Sequence, residues 1–256
     1  MRKAQIFYFS LQDEQTKIEK LKWFANTKFV DIPFQHITPD QKGNWINLTD
    51  NDFDSLLPVI HKDVKSGKSE QAIFELFSPG IKTQRDEWVY SFSKDCLIEQ
   101  TKYLVEAYQD RLENSTFREF DIKWDRELEK YLGRRIHKSF EIGKIRASLY
   151  RPFTKKYLYF DKHFNGVVYQ LPIIFPVLRD DNQAIWIKSG IDGDKFCLGI
   201  KNIPDVLTNG GSQCLPLYRY EKDGTRIDNI TDWGLTQFQT HYNNPKITKQ
   251  NIFHYT

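Results

Sequence analysis

The texture of the chain changes after Phe140, and that change constrains the fold more than any other feature. Seven short apolar runs follow, at residues 149–153, 157–160, 167–171, 173–178, 184–187, 196–200 and 213–220, separated by clusters of Gly, Pro, Asn and Asp. A helix needs an apolar stripe recurring about every 3.6 residues over several turns, and runs this short and this often interrupted do not supply one. They read as strands of an irregular, mostly antiparallel β region. Two short helices, 233–242 and 249–255, are expected to close the chain.

Upstream the pattern is different. Residues 4–11 read as a buried strand, and residues 13–25 as an amphipathic helix with Ile18, Leu21 and Phe24 on one face. A strand over 29–37 is interrupted by Pro33, which places it at an edge. Thr49-Asp50 is a plausible cap for a helix over 53–60, residues 62–69 form a charged loop, and 72–77 and 88–92 are short strands. The clearest helix covers 94–112, capped by Ser93, with Leu97, Thr101, Leu104, Val105, Tyr108 and Leu112 on its inner face. A second covers 121–135, turning Ile122, Trp124, Leu128, Tyr131 and Leu132 inward. The fold class is therefore α+β. An α/β segment occupies residues 1–76. A second domain occupies 77–256, with a helical connector at about 93–135 and a β-rich part at about 136–256. A strand starting at residue 4 and an apolar run at the last residues lead to the expectation that the chain is a piece of something longer.

Familiar catalytic patterns are missing from this chain. Gly67-Lys68-Ser69 has the tail of a phosphate-binding loop, but Lys62 stands where its first Gly belongs. Gln12-Asp13-Glu14, not a Gly-rich turn, follows the first strand, so no dinucleotide or S-adenosylmethionine loop is expected. Asn243-Asn244-Pro245-Lys246 lacks the second Pro and the aromatic of an adenine-methyltransferase motif. The six His residues never fall at zinc-binding spacing. Asp192-Gly193-Asp194 is expected to be a hairpin turn rather than a calcium loop. Cys96, Cys197 and Cys214 are too scattered for a disulfide framework, and a reduced, cytoplasmic setting fits them. Cys214 in an apolar run reads as a small buried hydrophobe. Asp125-Arg126-Glu127-Leu128-Glu129-Lys130 offers acids and a base to a nuclease centre, but alternating charge on a helix is ordinarily a solvated face. No run approaches the roughly 18 apolar residues of a membrane span.

Charge distribution is more informative than the formal total of +3. Between residues 122 and 162 there are twelve Lys and Arg against five Asp and Glu, a local +7, which leaves −4 for the remainder. Such segregation is expected of a surface that meets an anionic polymer. Arg134, Arg135, Lys138, Lys144, Arg146, Arg151, Lys155 and Lys156 alternate with aromatic or apolar residues. In a β setting this puts cations on one face, in reach of phosphates and of guanine edges. A solvated basic surface is the alternative use. A second polar constellation, Lys82, Thr83, Gln84 and Arg85, follows Gly80 on a loop, where recognition residues often sit. An internal Arg85–Asp86 staple is the other use of that loop.

These same stretches resemble the C-terminal specificity region of the Type ISP restriction–modification enzymes. The resemblance lies in Phe77-Ser78-Pro79-Gly80-Ile81-Lys82-Thr83-Gln84-Arg85-Asp86 with Trp88-Val89-Tyr90, and in Tyr150-Arg151-Pro152-Phe153 with Tyr157-Leu158-Tyr159-Phe160-Asp161. It continues through Ile203-Pro204-Asp205, Gln213-Cys214-Leu215-Pro216-Leu217-Tyr218, Asn229-Ile230-Thr231 and Ile247-Thr248-Lys249-Gln250-Asn251-Ile252-Phe253, in one order along the chain. Enzymes of this family carry nuclease, translocase, adenine-methyltransferase and target-recognition parts on one polypeptide. The resemblance implies that the segment from 4 to 45 is the last strand-and-helix portion of the methyltransferase, and that the reader begins near Phe77. It implies double-stranded DNA and a methyltransferase domain or subunit as partners. No cofactor is expected in this chain, with S-adenosylmethionine, ATP and magnesium used only in the parent enzyme. The chain is thus expected to bind a short DNA site, directing methylation and cleavage by other domains, without catalysis of its own. The competing expectation is a protein-interaction domain that docks a methyltransferase or motor partner and never touches DNA.

Overall fold

The computed structural model describes residues 5–39, 55–113, 122–176, 181–188, 195–206 and 211–256. The chain divides into two units, Met1–Leu56 and Leu57–Thr256. In the first, β1 (Ile6–Tyr8) pairs antiparallel with β2 (Gln35–Ile37), Ile6 opposite Ile37. The helix α1 (Lys17–Asn26) starts where Thr16 and Glu19 close a capping box, with Glu19 accepting from the Thr16 amide at 2.7 Å. Strand and helix are both shorter than the periodicity predicts. The expected strand over 29–37 is reduced too, because Phe29–Asp31 forms a 3₁₀ turn and pairing begins only beyond Pro33. Burial departs further from expectation. No residue of α1 is buried, and Ile18 and Leu21 are 78% and 59% exposed. Among the described residues, a two-stranded ribbon, a 3₁₀ turn and one short helix enclose too little volume to hide them. The helix expected over 53–60 lies partly outside the described residues, and 55–60 carries no α-helix.

The second unit is built on α4 (Lys94–Glu113). Every inner-face residue that its period predicts is buried, from Leu97 to Leu112, and the Ser93 hydroxyl accepts from the Cys96 amide at 3.3 Å as its cap. Beneath α4 lies a four-stranded sheet. Its order is β3 (Tyr90–Ser91), β5 (Lys155–Tyr159), β4 (Ile145–Leu149), β8 (Ile203–Pro204), antiparallel except for β4 with β8. A three-stranded antiparallel sheet follows, with β6 (Ala184–Lys188) between β7 (Phe196–Ile200) and β9 (Ser212–Pro216). The hairpin of β10 (Tyr218–Tyr220) and β11 (Arg226–Asp228) leads to α7 (Asp232–His241) and α8 (Lys249–Tyr255). One apolar cluster joins Leu104, Tyr108, Leu128, Leu158 and Trp186, and a second gathers Phe74, Leu215, Ile230 and Phe253. Cys214 is buried, as its apolar run suggests.

Four expected strands are replaced or shifted. Residues 150–153 form the loop of the β4–β5 hairpin, and the strand lies just upstream, at 145–149. Within the 167–178 stretch, Pro172 sits in the first turn of the short helix α6 (Leu171–Ile174), which the fixed φ of proline favours. Trp88 and Val89 belong to a single helical turn, α3 (Asp86–Val89), ahead of β3. The expected loop at 62–69 likewise begins with a turn of helix, α2 (Lys62–Lys65). The Asp192-Gly193-Asp194 turn lies outside the described residues.

Residues 72–82 run extended between both sheets without joining either ladder, touching them at single bridges: Phe74 with Ile230, Ser78 with Cys214, Ile81 with Asp205. Most of their backbone groups bond to backbone elsewhere, among them Ile73 to Pro58, Phe74 to Val59 and Ser78 to Cys214, and buried side chains satisfy others. Asn229 accepts from the Leu76 amide and donates to the Leu76 carbonyl, both at 2.8 Å, and Thr231 donates to the Ala72 carbonyl at 2.6 Å. At Gly80 the crossing is so close that a Cβ would stand 1.9 Å from the Asp205 carbonyl oxygen. Glycine is required there by space. Gly80→Ala is expected to lower stability by about 3 kcal/mol in urea denaturation. Gly143→Ala, where a Cβ meets nothing within 4 Å, should leave the midpoint nearly unchanged.

Candidate nucleic-acid interface

The basic middle of the chain folds around an open cleft of about 980 Å³, walled by α5 (Arg126–Gly133), the turn after β5 and residues 166–176. Five cations line it, Lys130, Arg134, Lys138, Lys144 and Lys162, against the carboxylates of Glu127 and Asp161. Its walls also carry aromatic faces: Tyr131 stacks on His163 with ring centres 4.1 Å apart, and Tyr169 is exposed beside them. Cations spaced around aromatic faces suit a strand of phosphates and bases.

A buried ion pair sets the position of α5. Arg85 is 0% exposed, pairs with Asp125 and donates to the Phe164 carbonyl at 2.7 Å. Asp125 is at the same time the cap of α5, accepting from the amides of Glu127 and Leu128 at 3.1 and 3.0 Å. Burial pulls the Arg85 guanidinium down from its ordinary value, and Asp125 opposes that. From α4, the Tyr108 hydroxyl donates to the Ile136 carbonyl at 2.7 Å and Gln109 donates to the Lys138 carbonyl, which fixes the segment after α5.

The expected site residues separate accordingly. Along 81–85 burial alternates, so Ile81, Thr83 and Arg85 turn inward while Lys82 and Gln84 face out. Thr83 donates to Asp86 and is buried. Thr83 and Arg85 are thus corrected from candidate contacts to scaffold, because β-like alternation leaves only every second side chain accessible. Lys82 pairs with Val167, and Gln84, held at φ 65°, lies against Gly166, so both border the cleft. Arg134 and Lys138 line it. Arg135 is exposed at φ 49° and is not part of the lining. Lys144 reaches the cleft but is held by Asp161 at 2.6 Å and by Glu141. Burial opposes its charge, yet these carboxylates prevail and push it up to about 12. Arg146 donates to the Pro176 carbonyl at 2.9 Å at the cleft edge. Arg151, Lys155 and Lys156 lie at the far end of the β4–β5 hairpin. Arg151 pairs with Asp205 and the Lys156 ammonium sits 3.7 Å from the centre of the Tyr150 ring. Lys130, Lys162, Tyr131 and His163 were not expected in the site. The i, i+4 spacing of Lys130 and Arg134 is the signal that places both on one side of α5.

Among the described residues no three His, Cys, Asp or Glu side chains converge as a metal site, and no helix is long and apolar enough to cross a membrane. Fold and cleft together define an α+β module with a cationic, aromatic-walled groove. The chain belongs to the Type ISP C-terminal specificity domain family, which it matches over residues 72–256. Three solved structures are similar to it. The first, a cryo-EM structure of a DrdV–DNA complex, is 38% identical with a TM-score of 0.74, over 98% of this chain and 26% of that one. A nuclease-deletion mutant of the Type ISP restriction–modification enzyme LlaGI with a DNA substrate mimic is 30% identical, TM-score 0.62, covering 89% and 23%. The ATP-dependent Type ISP enzyme LlaBIII bound to DNA is 29% identical, TM-score 0.66, covering 85% and 14%. This chain therefore spans about a quarter or less of those chains. No curated protein matches it.

Arg85→Ala would strand the Asp125 carboxylate and is expected to cost about 3 kcal/mol of stability. Arg85→Met with Asp125→Asn, which keeps a cap and removes both charges, should recover most of it in the same denaturation series. His163 supplies a pH test. Burial pushes its imidazole down from 6.5 to about 4, with Asp161 opposing. The unfolded chain then binds the extra proton between those values, so this contribution is intact above pH 6.5 and is lost as pH falls toward 4. A loss of about 2 kcal/mol is expected across that window, discounted for solvent in the cleft, and His163→Phe should flatten it.

Proposed function

We propose that this chain recognises a double-stranded DNA site as the specificity part of a restriction–modification enzyme. One observation carries the reading: the cationic cleft occurs in a chain whose family relatives, 29–38% identical, were solved with DNA. In this reading Lys130, Arg134 and Lys138 hold phosphates, while Lys82 and Gln84 reach from the cleft edge toward bases. Lys155, Lys156 and Arg151 extend the contact along the hairpin. Adenine methylation with S-adenosylmethionine, ATP-driven translocation and magnesium-dependent cleavage would belong to other parts of the parent enzyme, directed to the site by this domain.

The exposed apolar face of α1, Ile18, Leu21 and Phe24, supports a second part of the reading. We infer that the first unit packs against the methyltransferase part of such an enzyme, since an apolar face of this kind ordinarily marks an interface. The two roles are compatible on one chain. The reading is tested by salt-dependent DNA binding. Each phosphate contact contributes about 0.9 to the slope of log affinity against log salt. The triple variant Lys130→Ala, Arg134→Ala, Lys138→Ala should therefore lower the slope by about 2 to 3 in a fluorescence-anisotropy titration. An unchanged slope would remove the cleft as the binding surface. No binding by the wild-type chain, alone or with a methyltransferase partner, would leave protein docking as the function.

A further inference from the structure

The β4–β5 hairpin ends in a loop that is braced at every position except one. The Tyr150 amide donates to the Thr154 carbonyl at 2.8 Å, and the Tyr150 hydroxyl donates to Asp86 at 2.9 Å. Arg151 pairs with Asp205 and lies over the Tyr150 ring at 4.4 Å, and it does so at φ 140°, a backbone region that side-chain-bearing residues rarely enter. Pro152 then fixes its own φ. The next residue, Phe153, is 86% exposed. A loop held this firmly has the means to turn its apolar side chain inward, and instead presents it to water. Strain of this kind persists where a particular presentation is used.

The surroundings indicate what is presented to what. Beside Phe153 stand Arg151, Lys155 and Lys156, and the nearby exposed aromatic Phe92 is itself capped by the Lys156 ammonium at 4.8 Å. A protein partner would be met by a continuous apolar patch, whereas an exposed aromatic ring at a hairpin end that also carries Arg151, Lys155 and Lys156 suits a phosphate-flanked base. Strands β4 and β5 run from this loop to Lys144 and Phe160 at the cleft, about 15 Å, on the order of five base pairs of duplex. Both ends of the hairpin can meet one duplex.

We propose that Phe153 is a wedge that enters a base step of the bound duplex and stacks on a nucleobase there. Apolar side chains inserted in this way unstack the step and kink the helix. The proposal rests on the DNA reading above. The test starts by recovering duplexes from a random-sequence pool with the full chain, then placing 2-aminopurine at successive positions of an enriched duplex. Wild type is expected to raise fluorescence at one or two adjacent positions. Phe153→Ala should abolish that rise and bind about tenfold more weakly, with an unchanged salt slope because no cation is lost. Phe153→Trp should retain both the rise and the affinity. Because Phe153 is almost wholly exposed, its removal should leave the melting temperature as it was. If Phe153→Ala binds as tightly as wild type with the same 2-aminopurine pattern, the wedge is overturned and the DNA reading stands. If no duplex is enriched, the DNA reading fails and the wedge with it.

Discussion

The contact between Arg85 and Asp125 ties together three separate parts of the chain at one buried point. Asp125 caps α5 with one oxygen and holds Arg85 with the other, while Arg85 also reaches the Phe164 carbonyl. The loop at 78–86, the helix carrying Lys130 and the turn carrying His163 are thereby fixed to one another. Two buried charges are costly to bring out of water, and replacing such a pair with apolar residues is often neutral for stability. What the ion pair supplies is direction: a carboxylate that must face both a helix N-terminus and a guanidinium has few positions to occupy. The walls of the cleft inherit that definition.

The same economy runs through the basic stretch. Its local charge of +7 overstates what a ligand can meet, because Lys144 is held by Asp161 and Glu141, Arg151 by Asp205, and Lys130 lies 3.7 Å from Glu127. Asp205 sits far outside the stretch, so counting charge along the chain misses it as a partner. Exposed cations remain in the stretch at Lys123, Arg126, Arg134, Arg135, Lys155 and Lys162, with Lys82 outside it. They are distributed, with Arg134 and Lys162 on the cleft and Lys155 at the distal end of the hairpin. A phosphate backbone, which is also distributed, is better matched by such an array than a compact anion is.

Much of the fold was legible in the sequence, and the failures have physical causes. Helix α4 was readable because its period is sustained over five turns, and α8 because Thr248 and Asn251 close a capping box. The strand at 196–200 was readable because its apolar run is bounded on both sides. Residues 72–77 look like a strand and are extended, but their partners are single backbone contacts to Pro58 and Val59 and backbone and side-chain groups of Asn229 and Thr231, some 150 positions away, which no local pattern encodes. In the site, the cluster of four polar side chains from Lys82 to Arg85 was visible, while its division into two outward and two inward residues was not. That division follows from an extended backbone, where a loop was expected after Gly80.

The stretches that carry the family resemblance act mainly as fastenings in the structure. Ser78 bonds to Cys214, Ile81 to Pro204 and Val206, Asn229 to Leu76, and Tyr150 to Asp86. Between these fastenings stand the outward side chains: Lys82 and Gln84 beside Ile81, Arg134 and Lys138 beyond Asp125, Phe153 beyond Tyr150. Outward positions contribute little to the core, so substitutions at them leave the ties on either side intact, although Lys82, Gln84 and Phe153 themselves lie within the resembling stretches. For the proposed DNA-reading role this separation matters, since side chains at the surface can be exchanged over the same backbone. The buried pair at Arg85, the crossing at Gly80 and the clamp at Asn229 are the parts that must stay, and they hold the reading surface without forming it.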